Sequence, residues 1–85
     1  MIGENQGVVD HPALGTAEHA LVAKVVRHLD RVAFIPRDLV LAHATGRVAA
    51  DVFDRYRPTA QEVGAPVLDS VWRAVIDELC RRAMH

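Results

Sequence analysis

At 85 residues the chain is shorter than a typical full domain and buries only about 60 to 65% of the surface that it exposes when unfolded, which predicts one domain. A composition of 51% hydrophobic and 25% charged residues is too apolar for the disordered class. Ten basic against eleven acidic residues give a net charge of −1, which excludes a large positive field that would collect nucleic acid or an anionic membrane.

Cysteine content and the first residues indicate the compartment. Cys80 is the only cysteine, so one chain can form no internal disulfide and no multi-cysteine zinc site. Residues 1–14 carry Glu4 and Asp10 without an apolar run of signal-peptide length, and no stretch has the length and apolarity of a membrane span. We therefore expect a cytoplasmic protein that does not enter the membrane.

The N-terminal part of the chain is predicted as an arm followed by a helix. Residues 1–15 contain glycines and Pro12 with no helical or alternating period, which predicts a flexible arm before a single helical domain at 16–85. Thr16 is the predicted N-cap of a first helix over about 17–33. Its apolar stripe consists of Leu21, Val22, Val25, Val26, Leu29, Val32 and Ala33.

Two helices separated by a glycine are predicted next. Pro36 suits the first position of a helix over 36–44. We interpret Gly46 as a break, because one continuous helix would point the apolar residues on its two sides in opposite directions. The third helix is then predicted over 47–57 and ended by Pro58.

The C-terminal third predicts a short turn and a long helix. Thr59 and Glu62 have capping-box spacing and predict one helical turn. The last helix, predicted over 67–84, carries a broad apolar stripe. No segment alternates with a period of two over strand length. The sequence therefore predicts an all-α fold, a compact array of four or five helices.

The residues that could carry chemistry favour neither an enzyme nor a metal site. No histidine lies three or four residues from another, so the helical spacing of a metal pair is missing. Asp51 and Asp54 are spaced for a shared cation but are more typical of a solvated face. Ser70 is the only serine and Cys80 falls on an apolar stripe, so no nucleophile is paired with a base. We expect no catalytic activity, no metal and no cofactor.

The segment 36–57 resembles a helix-turn-helix, in which two helices are joined by a tight turn. Four residues match the preferences of that motif, whereas Arg47 and Arg55 replace the apolar residues that it usually has; the matches are Leu41, Ala42, Gly46 and Val52. The side chains that would contact DNA are Arg47, Arg55 and Arg57. A transcriptional regulator that binds DNA is therefore the alternative function.

The leading hypothesis is a small helical module for protein–protein interaction or oligomerisation, acting as an adaptor or regulatory subunit. It rests on a surplus of apolar side chains, because a core this small has little room for all of them, Val22, Phe34 and Ile35 included. The last helix is the first choice for the contact surface, with interface residues Val71, Trp72, Val75 and Leu79. Equally open is that Trp72 simply fills the core.

Overall fold

The computed structural model describes residues 14–85, and these residues form only helices and loops. In chain order the elements are α1 (Thr16–Val32), α2 (Arg37–Ala44), a first 3₁₀ helix (Ala50–Tyr56), α3 (Arg57–Ala60), a second 3₁₀ helix (Gln61–Val63) and α4 (Asp69–Ala83). The predicted all-α fold, a compact helical array, is confirmed. The predicted arm at 1–15 lies, except for its last two residues, outside the described part of the chain.

The start of α1 differs from the prediction by one residue. Gly15, not Thr16, is the N-cap, and its backbone N–H donates a hydrogen bond to Glu18 Oε1 at 3.1 Å. A Cβ atom at position 15 would lie 2.9 Å from that oxygen, so the absence of a side chain allows the carboxylate to approach. The prediction of Thr16 as the N-cap is therefore wrong, although Glu18 lies in the first turn as expected.

The core is built where α1, α2 and α4 meet. Among the described residues, its buried members are Val22, Val25, Val26, Leu29, Val40, Phe53, Ala60, Val67, Val71, Trp72, Ala74, Val75, Ile76 and Leu79. Helix α2 runs antiparallel to α4, because Arg37 contacts the end of α4 while Val40 contacts Cys80, one turn earlier. The second 3₁₀ helix is joined to α1 by His28, whose Nε2 atom lies 3.0 Å from Glu62 Oε1.

The segment 47–57 is not the predicted third α-helix. The break at Gly46 is confirmed, since this residue has a φ of 80° in a turn after α2. Beyond it, Ala50–Tyr56 forms a 3₁₀ helix, which is long for this type of helix. Its anchor is the fully buried Phe53, whose ring meets the His43 ring edge-on with centroids 5.4 Å apart.

Pro58 also has a different role from the predicted one. It lies in the first turn of α3 instead of ending the helix before it. Proline fits both places, because it lacks an N–H group and the first residues of a helix have no intrahelical acceptor for theirs. Gly64, with a φ of 90°, ends the second 3₁₀ helix and turns the chain toward α4. Within residues 14–85, no helix combines the length and apolarity that crossing a membrane requires.

Candidate functional site

The four residues predicted as an interface lie inside the protein. Val71, Trp72, Val75 and Leu79 are buried against the chain's own helices, because α4 packs on both α1 and α2. Trp72 fills the core of the chain, which the sequence had left open as the alternative to an interface role. These side chains are therefore largely enclosed by the chain's own helices, although Leu79 also lines a surface groove described below.

The three arginines predicted for DNA contact lie on three different elements. Arg47 is exposed in the turn after α2, and the Arg55 guanidinium lies over the Tyr56 ring, 5.5 Å from its centroid. Arg57 is half-buried and is engaged within the protein. It donates a hydrogen bond to the backbone oxygen of Val67 at 2.7 Å, and its second terminal nitrogen lies 2.8 Å from Asp69 Oδ1.

The geometry of a helix-turn-helix is not formed by the segment 36–57. That motif places an α-helix in the major groove of DNA, directly after the turn. Here the turn is followed by irregular backbone and the first 3₁₀ helix. The three arginines therefore do not lie on one recognition helix, as the prediction had placed them.

A surface groove of about 990 Å³ is lined by α1, α4 and the end of α2 and contains His43 and Cys80. His43 Nδ1 lies 3.0 Å from the backbone oxygen of Val48, and because a carbonyl only accepts, Nδ1 carries the proton. Burial, followed by the negative charge of Asp77, raises the pKa of the Cys80 thiol. The thiol is therefore protonated near neutral pH, the form with low nucleophilicity.

No side-chain cluster in the described part of the chain is suited to a metal ion: no three His, Cys, Asp or Glu residues lie together there. The isolated pair Asp51 and Asp54 is exposed, as expected for a solvated face. A stable metal site requires several carboxylate, imidazole or thiolate groups to lie close together.

The most unusual surface feature is Phe34, in the loop between α1 and α2. Its side chain is 80% exposed, and its backbone φ of 50° is the only positive value at a non-glycine residue in residues 14–85. It directly follows Ala33, the C-cap of α1, at the position where glycine is usually found in a left-handed conformation. A residue with a Cβ atom there costs about 1 to 2 kcal/mol. Phe34 thus destabilises the folded chain through its backbone and also exposes a large aromatic ring to water.

A groove of about 440 Å³ lies beside Phe34, where the end of α1, the start of α2 and the end of α4 meet. It is lined by the buried Leu29, Val40 and Leu79, by the more exposed Phe34, Ile35 and Ala83, and by the polar residues Asp30, Arg37, Arg82 and His85. We call Phe34 together with this groove the Phe34 surface.

Two polar contacts fix the helix ends around this groove. The Arg82 guanidinium lies 2.8 Å from Asp30 Oδ2 and holds the last turn of α4 against the last turn of α1. Arg37 donates a hydrogen bond to the backbone oxygen of Ala83 at 2.8 Å and so satisfies a carbonyl group at the end of α4. Because three helix ends are joined, the groove has a defined shape next to the exposed ring.

Sequence reasoning counted Phe34 among the surplus apolar residues but did not single it out. Of the three named there, Val22 is buried, Ile35 is half-buried and Phe34 is exposed. The available signal was a bulky residue directly after a predicted helix end, where glycine is common. This pattern can be recognised only when the last residue of α1 is known to within one position. Comparison with known proteins finds no family model, no curated protein and no solved structure that matches this chain.

Proposed function

We propose that the protein is a small helical module for protein–protein interaction, acting as an adaptor or regulatory subunit, and that its contact surface is the Phe34 surface. One observation carries the proposal. An aromatic side chain that is 80% exposed is held on a left-handed backbone, although glycine at this position would relieve the strain and remove the exposed ring.

The energetics of interfaces support this interpretation. Aromatic side chains are over-represented among the residues that dominate binding energies, and they act when they enter a pocket from which water is excluded. A ring of this size removes about 150 to 250 Å² of surface from water when it is covered. Within residues 14–85 the Phe34 side chain gains little of that stabilisation, because it is 80% exposed, whereas a bound partner would supply the rest.

The groove supports the proposal as well, because Ile35 and Ala83 add further partly exposed apolar side chains beside Phe34 and next to charged groups. Protein interfaces combine apolar and charged side chains in this way. The two contacts that tie the helix ends together leave few conformations to be lost on binding, and this reduces the entropic cost of association.

The proposed location is the cytoplasm. The single free cysteine supports it, since small exported domains of this size are commonly stabilised by disulfides.

The proposal is tested by photo-crosslinking in the cells that make the protein. The cross-linking amino acid p-benzoylphenylalanine replaces Phe34 in one variant and Leu68 in the matched control. Leu68 is an exposed apolar residue just before the start of α4, the opposite end of that helix from the groove. We expect a defined cross-linked protein from position 34 and none from position 68. Equal or absent cross-linking at both positions contradicts the proposal.

A further inference from the structure

We propose that the first 3₁₀ helix, Ala50–Tyr56, is a conformational switch that Pro58 holds in the 3₁₀ winding and that also has an accessible α-helical winding. A change from the first winding to the second moves Val48 and releases the His43 ring. The residues of the switch lie outside the Phe34 surface, so the switch does not depend on that surface.

Pro58 favours the 3₁₀ winding through one backbone carbonyl. In the structure the Arg57 N–H donates a hydrogen bond to the backbone oxygen of Asp54, three residues earlier. An α-helix would pair this oxygen with the N–H group four residues later, at Pro58, which has none. The proline ring would also clash with the same carbonyl group. The 3₁₀ winding avoids both costs, and this explains a run of seven residues in a type of helix that rarely exceeds about three or four.

The α-helical winding is close to the observed one. Arg57, the first residue of α3, has α-helical backbone angles, with φ of −64° and ψ of −40°, so an α-helix can extend backward from it without a turn. The apolar residues Val48, Val52 and Tyr56 share one face of an α-helix and therefore suit that winding. Phe53 is the only buried residue among Ala50–Tyr56, and the segment packs mainly against α3, so few distant contacts oppose the change.

The winding is coupled to His43. A 3₁₀ helix rises about 2.0 Å per residue and an α-helix about 1.5 Å, so the change shortens the seven residues by about 3.5 Å. Val48 lies just before this segment, and its backbone oxygen accepts a hydrogen bond from His43 Nδ1 at 3.0 Å. A shift of that size exceeds the range of a hydrogen bond and frees the imidazole. Because His43 lines the groove of about 990 Å³, the winding also determines part of the wall of that groove.

The first test is nuclear magnetic resonance of the full chain as wild type, as Pro58→Ala and as the matched control Pro66→Ala. Pro66 lies in the loop before α4, outside any helix, whereas alanine at position 58 supplies the N–H group that an α-helix needs there. Nuclear Overhauser contacts from an Hα atom to the N–H two residues later identify the 3₁₀ winding, and contacts to the N–H four residues later identify the α winding. We expect the 3₁₀ pattern across 50–56 in the wild type and in Pro66→Ala, and the α pattern in Pro58→Ala.

The second test measures the coupling to His43. The ¹⁵N chemical shifts of an imidazole show which of its nitrogens carries the proton, and they are recorded above about pH 8, where histidine is neutral. In the wild type and in Pro66→Ala we expect the proton on Nδ1, because the Val48 oxygen accepts it. In Pro58→Ala we expect the proton on Nε2, the form that a neutral histidine prefers when Nδ1 has no acceptor.

The third test uses the wild-type chain alone and therefore does not require that Pro58→Ala folds. Relaxation dispersion detects a minor conformer that exchanges with the major one in microseconds to milliseconds. We expect such exchange at the backbone nitrogens of 50–56 and none in the loop at 65–68.

A folded Pro58→Ala chain that keeps the 3₁₀ pattern overturns the inference, as does a wild-type chain without exchange at 50–56. An α pattern in Pro58→Ala with the His43 proton still on Nδ1 overturns the coupling to the groove. None of these results changes the cross-linking expected from position 34, so failure of the switch is distinguishable from failure of the proposed function.

Discussion

The Arg57 guanidinium joins the start of α3 to the loop before α4, because it donates a hydrogen bond to the Val67 backbone oxygen at 2.7 Å and pairs with Asp69 at 2.8 Å. Arg57 therefore holds two neighbouring segments of the chain together. An arginine that the sequence assigned to DNA contact serves the fold itself.

Arg57→Ala should lower the free energy of unfolding by about 1 to 2 kcal/mol, because it leaves the partly buried carbonyl of Val67 without its charged donor. Asp69→Asn should cost less than about 1 kcal/mol, since the Asp69 side chain is 94% exposed and exposed ion pairs contribute little. Urea denaturation of both variants checks the difference. Equal losses would assign the stabilisation to the ion pair and not to the carbonyl bond.

Phe34→Gly and Phe34→Ala form a matched pair, because both remove the ring and only alanine keeps a Cβ atom at the positive φ. We expect the glycine variant to be more stable than the alanine variant by about 0.5 to 1 kcal/mol, since left-handed strain outweighs the greater freedom of unfolded glycine. Thermal unfolding at low protein concentration measures this difference without a contribution from association. A glycine variant that is less stable than the alanine variant would contradict the interpretation that the left-handed backbone at position 34 is strained.

Trp72→Ala should cost about 3 to 5 kcal/mol, because it opens a large cavity in the core. Trp72→Phe should cost much less. Among the described residues, the buried indole N–H has no acceptor, and phenylalanine removes that unsatisfied donor while it keeps most of the ring. Chemical denaturation of both variants separates the two effects. A phenylalanine variant as unstable as the alanine variant would mean that the indole N–H contributes a bond of its own.

Cys80 should react slowly with thiol reagents near neutral pH. Burial, followed by Asp77, raises the pKa of the thiol, so the reactive thiolate is scarce until the pH exceeds the ordinary range of cysteine. Asp77→Asn should lower that pKa and speed up labelling at a fixed pH. The folded state favours the protonated thiol, so this group stabilises the fold below its ordinary pKa and loses that contribution as the pH rises through its raised pKa. Labelling rates across a pH series test the direction, and fast labelling at neutral pH would contradict it.

Mixed-sequence duplex DNA should not bind appreciably. The net charge of the chain is −1, so it has no large positive field to attract the DNA phosphates. Of the three arginines predicted to contact DNA, Arg57 is already engaged with Val67 and Asp69. Fluorescence anisotropy at about 50 mM and about 200 mM salt provides the measurement. Binding that falls steeply with salt and weakens in Arg47→Ala would restore the DNA-binding alternative.

The helices with strong periodicity were predictable within two residues at each end. The stripe of α1 and that of α4 follow from the 3.6-residue repeat, which is a property of neighbouring residues alone. The prediction failed at 47–57, where a seven-residue 3₁₀ helix carries the buried Phe53, whose ring contacts His43, and where Pro58 lies in the first turn of the next helix. Local propensity does not distinguish an α-helix from a 3₁₀ helix when a distant contact fixes the backbone.

The sequence by itself determined that this chain is helical, which faces of α1 and α4 are apolar, and that the chain breaks at Gly46, because each follows from local spacing or from the freedom of one residue. Only the tertiary structure decided which apolar residues are covered. Trp72 and Phe34 are both large aromatic residues. Trp72 is in the core because α4 packs against α1 and α2, whereas the helices of residues 14–85 leave the Phe34 side chain 80% exposed. Burial is a property of how helices are arranged around one another, and that arrangement placed the candidate site.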